Sequence, residues 1–218
     1  MYTLKHWLKV DNLSLVLLFI VFWVPVIVFL KLAGEVIEKE PIAFDTVIIN
    51  WLHAHANPFL DSFFLVFTNI GGVIGIVTIT ILLVTYLLYK KQRRNSLLLV
   101  AGVGGAAVAN LILKALFQRD RPSLFDPSVV ETSFSFPSGH AMASSALILC
   151  VILIFWHTKW RWLVTLIGAI VVLAISVSRL YLGVHYPTDI IAGWCASTAW
   201  VAIVFFASKK LRPSALTM

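Results

Sequence analysis

Charge is what this chain has least of. Only 12% of its 218 residues are Asp, Glu, Lys or Arg, against about a quarter in a typical soluble domain. Hydrophobic residues make up 60% of the chain, and the mean hydropathy is +0.94. That leaves too little polar surface to cover a water-soluble globule, so a membrane protein is implied. Acid is scarcer than base: ten Asp and Glu stand against 17 Lys and Arg, a net charge of +7. The bases are spread over short loops rather than gathered in one patch, which argues against nucleic acid as a partner. Cysteine is nearly absent. Cys150 and Cys195 both lie inside apolar runs, with no CxxC pair and no Cys/His ligand spacing. Disulfide and zinc frameworks are therefore not expected, and both residues read as small buried hydrophobes. No fixed-period repeat and no low-complexity linker interrupts the chain, so residues 1–218 read as a single domain. No A-x-A cleavage site follows the first apolar run, so that run reads as a retained helix rather than a cleaved signal peptide.

Long apolar runs are abundant. Crossing the hydrocarbon core takes roughly 17–25 mostly apolar residues. Six segments qualify, near 13–33, 63–89, 97–117, 140–157, 162–180 and 188–207. The expected fold is all-α: a bundle of six transmembrane helices. The third span holds Gly102, Gly104, Gly105, Ala106, Ala107 and Ala109. Small residues allow close backbone approach, so this helix is expected to pack centrally. Between spans one and two, Phe44, Val47, Ile48, Trp51 and Leu52 recur at helical spacing within 41–56, with Asp45, Asn50, His53 and His55 elsewhere on the wheel. That pattern predicts an amphipathic helix lying in the membrane interface. It reads as a connector shielding the ends of two spans, or else as a guide for an amphiphilic substrate.

Loop charges set the orientation. Six spans put both termini on one side, together with Lys5, Lys9, Lys90, Lys91, Arg93, Arg94, Lys159, Arg161, Lys209, Lys210 and Arg212. The other side holds Lys31, Lys39, Lys114, Arg119, Arg121 and Arg179. The basic excess marks the first side as cytoplasmic. The protein is thus expected in the inner (plasma) membrane as a multi-pass chain with both termini cytoplasmic.

Three outward-facing segments then hold ionisable residues at the ends of spans, where charge is costly. They are Lys114 to Arg121-Pro122, Pro137-Ser138-Gly139-His140, and Ser178-Arg179 through His185 to Asp189. Lys114, Arg121 and Arg179 would repel one another unless a multiply charged anion sat between them. Phosphate fits, because arginine offers its oxygens paired donors. Ser138 and Gly139 precede a helix, whose free N–H groups favour an anion; Ser138 can cap that helix, bind the anion, or do both. Asp189 lies four residues after His185, and a helical turn would let it fix the tautomer of that ring. The other ring nitrogen would be free to attack phosphorus. Pro187 makes a regular helix uncertain there, so a turn serves equally. His140 is the candidate acid for the departing oxygen. Lys114 and Arg121 also have the plainer reading of interfacial anchors. Arg119 would add headgroup attraction and Asp120 a local pair. Thr68, Asn69, Gly71 and Gly72 read as helix packing with a possible place at the site, and His6, His53, His55 and His157 match no pattern.

The spacing K-x6-R-P, P-S-G-H and S-R-x5-H-x3-D resembles the type-2 phosphatidic acid phosphatase superfamily. All three motifs occur in order between Lys114 and Asp189. The resemblance implies a helical core, a phosphohistidine on His185 supported by Asp189, His140 as the acid, and phosphate held by Lys114, Arg121, Ser138, Gly139 and Arg179. It implies no metal or other cofactor. Soluble vanadium haloperoxidases share the superfamily, but six spans point to the membrane branch. The expected activity is hydrolysis of a lipid phosphomonoester or diphosphate at the outer face of the bilayer. Phosphatidic acid, phosphatidylglycerophosphate and polyprenyl diphosphates all stay open as substrates. A phosphotransferase using the same intermediate is the first alternative and a lipid transporter the second. Nothing in the sequence fixes the oligomeric state.

Overall fold

A computed structural model describes residues 12–38, 43–123, 129 and 131–210. Every regular element among them is helical: α1 (Asn12–Glu38), α2 (Ala43–Ala54), α3 (Pro58–Gly71), α4 (Val73–Tyr89), α5 (Arg93–Phe117), α6 (Gly139–Phe155), α7 (Arg161–Tyr181) and α8 (Pro187–Lys210). His6, Lys5, Lys9, Lys39 and Arg212, which entered the reading above, lie outside the described residues, as do both termini.

The helix ends follow local chemistry. Asn57 caps α3 by accepting the Leu60 N–H at 3.0 Å, with Pro58 in the first turn, where its missing N–H costs nothing. Gln118 closes α5 in the left-handed region, with φ 46° and its N–H on the Lys114 carbonyl. Ser138 caps α6.

Helix α6 lies between α5, α7 and α8, and α1 runs along α8. In the third span, α5, the small residues do allow close approach, although α6 and not α5 takes the central place. A Cβ on Gly102 would stand 2.3 Å from the Cys150 sulfur, and one on Gly105 would stand 2.1 Å from the Trp200 ring. Only glycine admits these neighbours. The Trp200 indole N–H then reaches the Ala101 carbonyl at 3.0 Å, and Ser145 meets Ser197 between α6 and α8 at 2.6 Å. The surface is apolar: Ile74, Leu82, Leu111 and Leu116 are all exposed. Such side chains suit contact with lipid tails rather than water.

Among the described residues, four helices are long and apolar enough to cross a membrane: α1, α5, α7 and α8. The expected second span differs from a straight helix. It is two helices, α3 and α4, bent by 53° at Gly72, which adopts an extended ψ of 170°. Counted as one bent span, the pair makes five. Helix α6 has 17 residues, about 25 Å at 1.5 Å per residue, somewhat short of the hydrocarbon thickness. The chain is a multi-pass membrane protein.

The topology sends the C-terminal ends of α5 and α7 and the N-terminal ends of α6 and α8 to one end of the bundle. The basic pairs Lys90-Lys91 and Arg93-Arg94 lie at the other end, between α4 and α5.

Candidate active site

At the first end a cavity of about 540 Å³ runs between α4 and α5. One part of it is lined by Lys114, Arg121, Glu131, Gly139, His140 and His185, and the rest by apolar residues of α4 and α5, among them Ile76, Val77, Ile81, Val103 and Leu111.

His185 lies in the turn just before α8, and its side chain and that of Asp189 are buried. Its Nδ1 stands 3.2 Å from Asp189 Oδ2. The turn anticipated around Pro187 has a specific form. Pro187 opens α8, and Asp189 reaches back to accept the Tyr186 N–H at 2.9 Å, as the third residue of a capping box does. The same oxygen therefore closes the helix and orients the imidazole. On the far side of the ring, Arg121 Nη1 approaches Nε2 to 3.4 Å while donating to the Val184 carbonyl at 2.7 Å. A guanidinium can only donate, so Nε2 is the acceptor nitrogen and Nδ1 carries the proton. Burial pushes His185 down to about 4, against the opposing pull of Asp189. The ring is neutral at pH 7 with its lone pair on Nε2.

The cations converge around that nitrogen. Lys114 Nζ donates to Ser133 Oγ at 3.3 Å and to the Phe134 carbonyl. Arg121 Nε donates to the Ser133 carbonyl at 2.8 Å. Arg179, almost fully buried, donates to the Thr68 hydroxyl and to Glu131. Its Nε is buried and has no hydrogen-bond partner among the described residues, a costly state for a charged donor. Glu131 bridges the two arginines, with Oε2 3.6 Å from Arg121 Nη2. Burial would raise its carboxyl, but Arg179 and Arg121 hold it below the usual carboxylate range. An ionised carboxylate thus stands between two guanidiniums beside His185. It is the same kind of ligand a phosphate would be, so the two should compete. Glu131→Gln is expected to tighten inhibition by orthovanadate about tenfold, the worth of roughly one charge-assisted hydrogen bond. A vanadate titration of both proteins measures this.

Ser138 is fully buried. Its Oγ accepts the Ala141 N–H at 3.5 Å and its own N–H goes to the Asp189 carbonyl at 3.0 Å. Of its two expected roles, the cap is the one with a visible partner. A Cβ on Gly139 would press to 3.1 Å of Asn110 Oδ1, while Asn110 Nδ2 holds the Pro137 carbonyl at 3.0 Å. His140 faces the bend between α3 and α4, with Nε2 3.6 Å from where a Gly72 Cβ would stand. His55, in the turn after α2, bonds the Trp51 carbonyl of that helix at 2.7 Å.

Arg119 departs from the headgroup role expected of it. Its guanidinium is occupied inside the protein: Nη1 donates to Asp189 Oδ1 at 2.6 Å and to Thr188 Oγ1 at 2.7 Å, and Nη2 to Asp45 Oδ2 at 3.0 Å. Asp45 in turn is not on a water-facing side of α2. It is buried with Ile49, because Arg119 and Thr188 satisfy its oxygens. Glu131 and Ser133 also enter the site unforeseen, and Thr68 takes the second of its two readings, a place at the site through Arg179.

Comparison with known proteins bears on the family and the fold. A family model described as the PAP2 superfamily matches residues 95–213. The chain is 30% identical over 143 residues to phosphatidylglycerophosphatase B of Bacillus subtilis, covering 63% of this chain and 70% of that one. It is 29% identical over 182 residues to an undecaprenyl-diphosphatase of Sulfolobus acidocaldarius, covering 81% and 82%. The crystal structure of a transmembrane PAP2-type phosphatidylglycerolphosphate phosphatase from Bacillus subtilis superposes with a TM-score of 0.77 at 25% identity, covering 87% of this chain and 98% of that one. Aquifex aeolicus LpxE shares the fold, with a TM-score of 0.64 at 20% identity over 77% of this chain and 98% of that one.

Proposed function

We propose that this chain, which belongs to the PAP2 superfamily, hydrolyses a phosphomonoester or diphosphate on a lipid without a metal. His185 Nε2 attacks phosphorus, and the bond from phosphorus to the departing oxygen, the lipid oxygen of a monoester or the bridging oxygen of a diphosphate, breaks as His140 gives that oxygen a proton. Water then cleaves the P–N bond, with His140 taking its proton, and orthophosphate leaves. Lys114, Arg121 and Arg179 neutralise the charge on the equatorial oxygens, and the Gly139 N–H and the Ser138 cap favour it at the start of α6. The single observation that carries this reading is Arg121 standing 3.4 Å from His185 Nε2, the nitrogen Asp189 leaves free. The Arg179 Nε, without a partner among the described residues, supports it, because a phosphate oxygen would satisfy that donor.

The lipid enters the reading through the cavity. Beyond its charged part the walls are aliphatic and open to the bundle surface, as suits a headgroup at the charged part and a chain alongside α4 and α5. We read α6 and the bent α3–α4 pair as spans, giving six, with α2 in the outer interface and the site facing outward. The names of the relatives favour phosphatidylglycerophosphate and undecaprenyl diphosphate among the candidates.

The test is phosphate release by detergent-solubilised protein, in EDTA, from phosphatidic acid, phosphatidylglycerophosphate and a polyprenyl diphosphate. Release from none of the three would overturn the proposal. A second measurement addresses the chain-binding part. Gly104 lines the cavity, and a side chain built there meets nothing within 4 Å. Gly104→Phe should therefore fill the groove. It is expected to raise KM for a long-chain lipid phosphate about tenfold, the worth of a lost apolar contact of one or two methylenes. A water-soluble aryl phosphate should be turned over unchanged.

A further inference from the structure

Two carboxylates are buried in this chain within reach of one guanidinium. Asp45 comes from α2 and Asp189 from α8, and both side chains are almost wholly shielded from solvent. Arg119 spans them, 3.0 Å from Asp45 and 2.6 Å from Asp189. Its plane lies over the Tyr186 ring at 4.0 Å, and its carbonyl accepts the Ser135 N–H at 2.8 Å. Asp45 is fixed from the other side by the Thr188 N–H at 3.0 Å and the Thr188 hydroxyl at 2.7 Å. Arg119 is not among the residues lining the cavity, and its guanidinium is taken up by Asp45, Thr188 and Asp189, so its link to the reaction runs through Asp189.

We infer that Arg119, anchored by Asp45, is a positioning residue that fixes the Asp189 carboxylate and thereby the direction of His185 Nε2. This rests on the reading of His185 as the nucleophile. The two oxygens of Asp189 divide the work. Oδ2 holds the imidazole and the Tyr186 N–H, while Oδ1 is held by Arg119 alone among the described residues. Without Arg119, the carboxylate keeps one anchored oxygen and is free to rotate about its χ2 torsion. A nucleophile tolerates little of that: about 1 Å of misplacement costs on the order of 100-fold. Lysine cannot replace the fork, because its ammonium is a point charge that cannot face two carboxylates and a hydroxyl in one plane. The connector α2, remote in sequence from all three motifs, thus carries part of the catalytic alignment.

The experiment uses the full chain in detergent, with Arg119→Ala, Arg119→Lys and Asp45→Asn assayed on phosphatidic acid. Arg119→Ala is expected to lose about 100-fold in kcat, the upper range for a supporting contact, with KM within threefold. Added methylguanidinium should restore part of that loss in Arg119→Ala and do nothing for the unsubstituted protein. A merely structural role would not produce that rescue. Arg119→Lys should remain about tenfold below the unsubstituted protein, and Asp45→Asn should lose about tenfold in kcat alone. The doubly substituted Arg119→Ala, Asp45→Asn protein should be no worse than Arg119→Ala, because the two act in one chain. A raised KM with unchanged kcat in Arg119→Ala would overturn the inference and make Arg119 a substrate ligand. So would a folded Arg119→Ala that methylguanidinium leaves unimproved. If Arg119→Ala does not fold, Asp45→Asn decides, and full kcat there overturns it. His185→Ala separates the two claims. Activity in that variant sinks the nucleophile reading itself, whereas an inactive His185→Ala beside an Arg119→Ala of normal kcat sinks only the positioning role.

Discussion

His185→Ala should abolish turnover, with a loss of at least about 10⁴ in kcat, because a covalent route disappears with its nucleophile. No neighbour can replace it. Lys114 is tied to Ser133 and Phe134, and a buried Asp189 is held by the Tyr186 N–H and Arg119. Rapid quench in base after mixing with a radiolabelled lipid phosphate should trap label on the unsubstituted protein and none on the variant. Orthovanadate should still bind the variant, since the three cations remain, so loss of folding is distinguishable from loss of chemistry. Label trapped on the variant, or turnover within tenfold of normal, would sink the assignment.

The same substitution has a consequence for stability against pH. Burial holds folded His185 at about 4, below the value of about 6.5 for an unperturbed imidazole. The unfolded chain therefore takes up a proton before the folded one does. The sign is that of a depressed group: stability is complete above about 6.5 and is lost as pH falls toward 4. His185→Ala removes this loss. The melting temperature of the variant relative to the unsubstituted protein should rise between pH 6.5 and 4.5 and stay constant above 7.

What the sequence makes legible depends on how local the cause is. Hydropathy is local, so the limits of α5, α6, α7 and α8 fall within a few residues of their expected positions. The three motifs are local too, and topology alone brings their segments to one end of the bundle. The bend at Gly72 was hidden, because α3 and α4 are both apolar and hydropathy does not see direction. Gly71-Gly72 was the one cue: a Cβ on Gly71 would meet Ile175 at 2.3 Å, so close packing and the bend share a cause. Asp45 was misread for a related reason. Amphipathic spacing separates polar from apolar faces but cannot say whether the polar face meets water or a buried arginine 74 residues away. Glu131 had no signal at all. It lies in an aperiodic connection, and its meaning comes from Arg179, 48 residues later.

Those long-range pairs also explain how so many charges sit at the end of an apolar bundle. Arg119 answers Asp45 and Asp189, and Glu131 answers Arg121 and Arg179. Isolated, each would bear a desolvation penalty of several kcal/mol. Of the two, the Glu131 partnership is the one that borders the cavity, and there a substrate phosphate can exchange with a protein carboxylate. The buried network around Arg119 is closed, while the one around Arg179 is open to exchange.

His140→Ala should separate the two halves of the reaction. On a lipid phosphomonoester the departing alkoxide is a strong base, and a positioned acid is worth about 10²–10⁴; a loss of about 10³ in kcat is expected. An aryl phosphate leaves as a stable phenolate and needs no proton, so its first step should slow by less than about tenfold. The second step differs. Water must still be deprotonated to cleave the P–N bond, and His140 is the group placed to accept that proton. The variant should therefore release one equivalent of phenolate quickly and then stall, with phosphorylated His185 accumulating. Stopped-flow absorbance measures the burst, and base-quenched label counts the intermediate. A diphosphate substrate should behave like the aryl ester, because a lipid monophosphate is also a good leaving group. Equal slowing of the first step on all three substrates would remove His140 from the acid role and leave it as a side chain packed against the bend at Gly72.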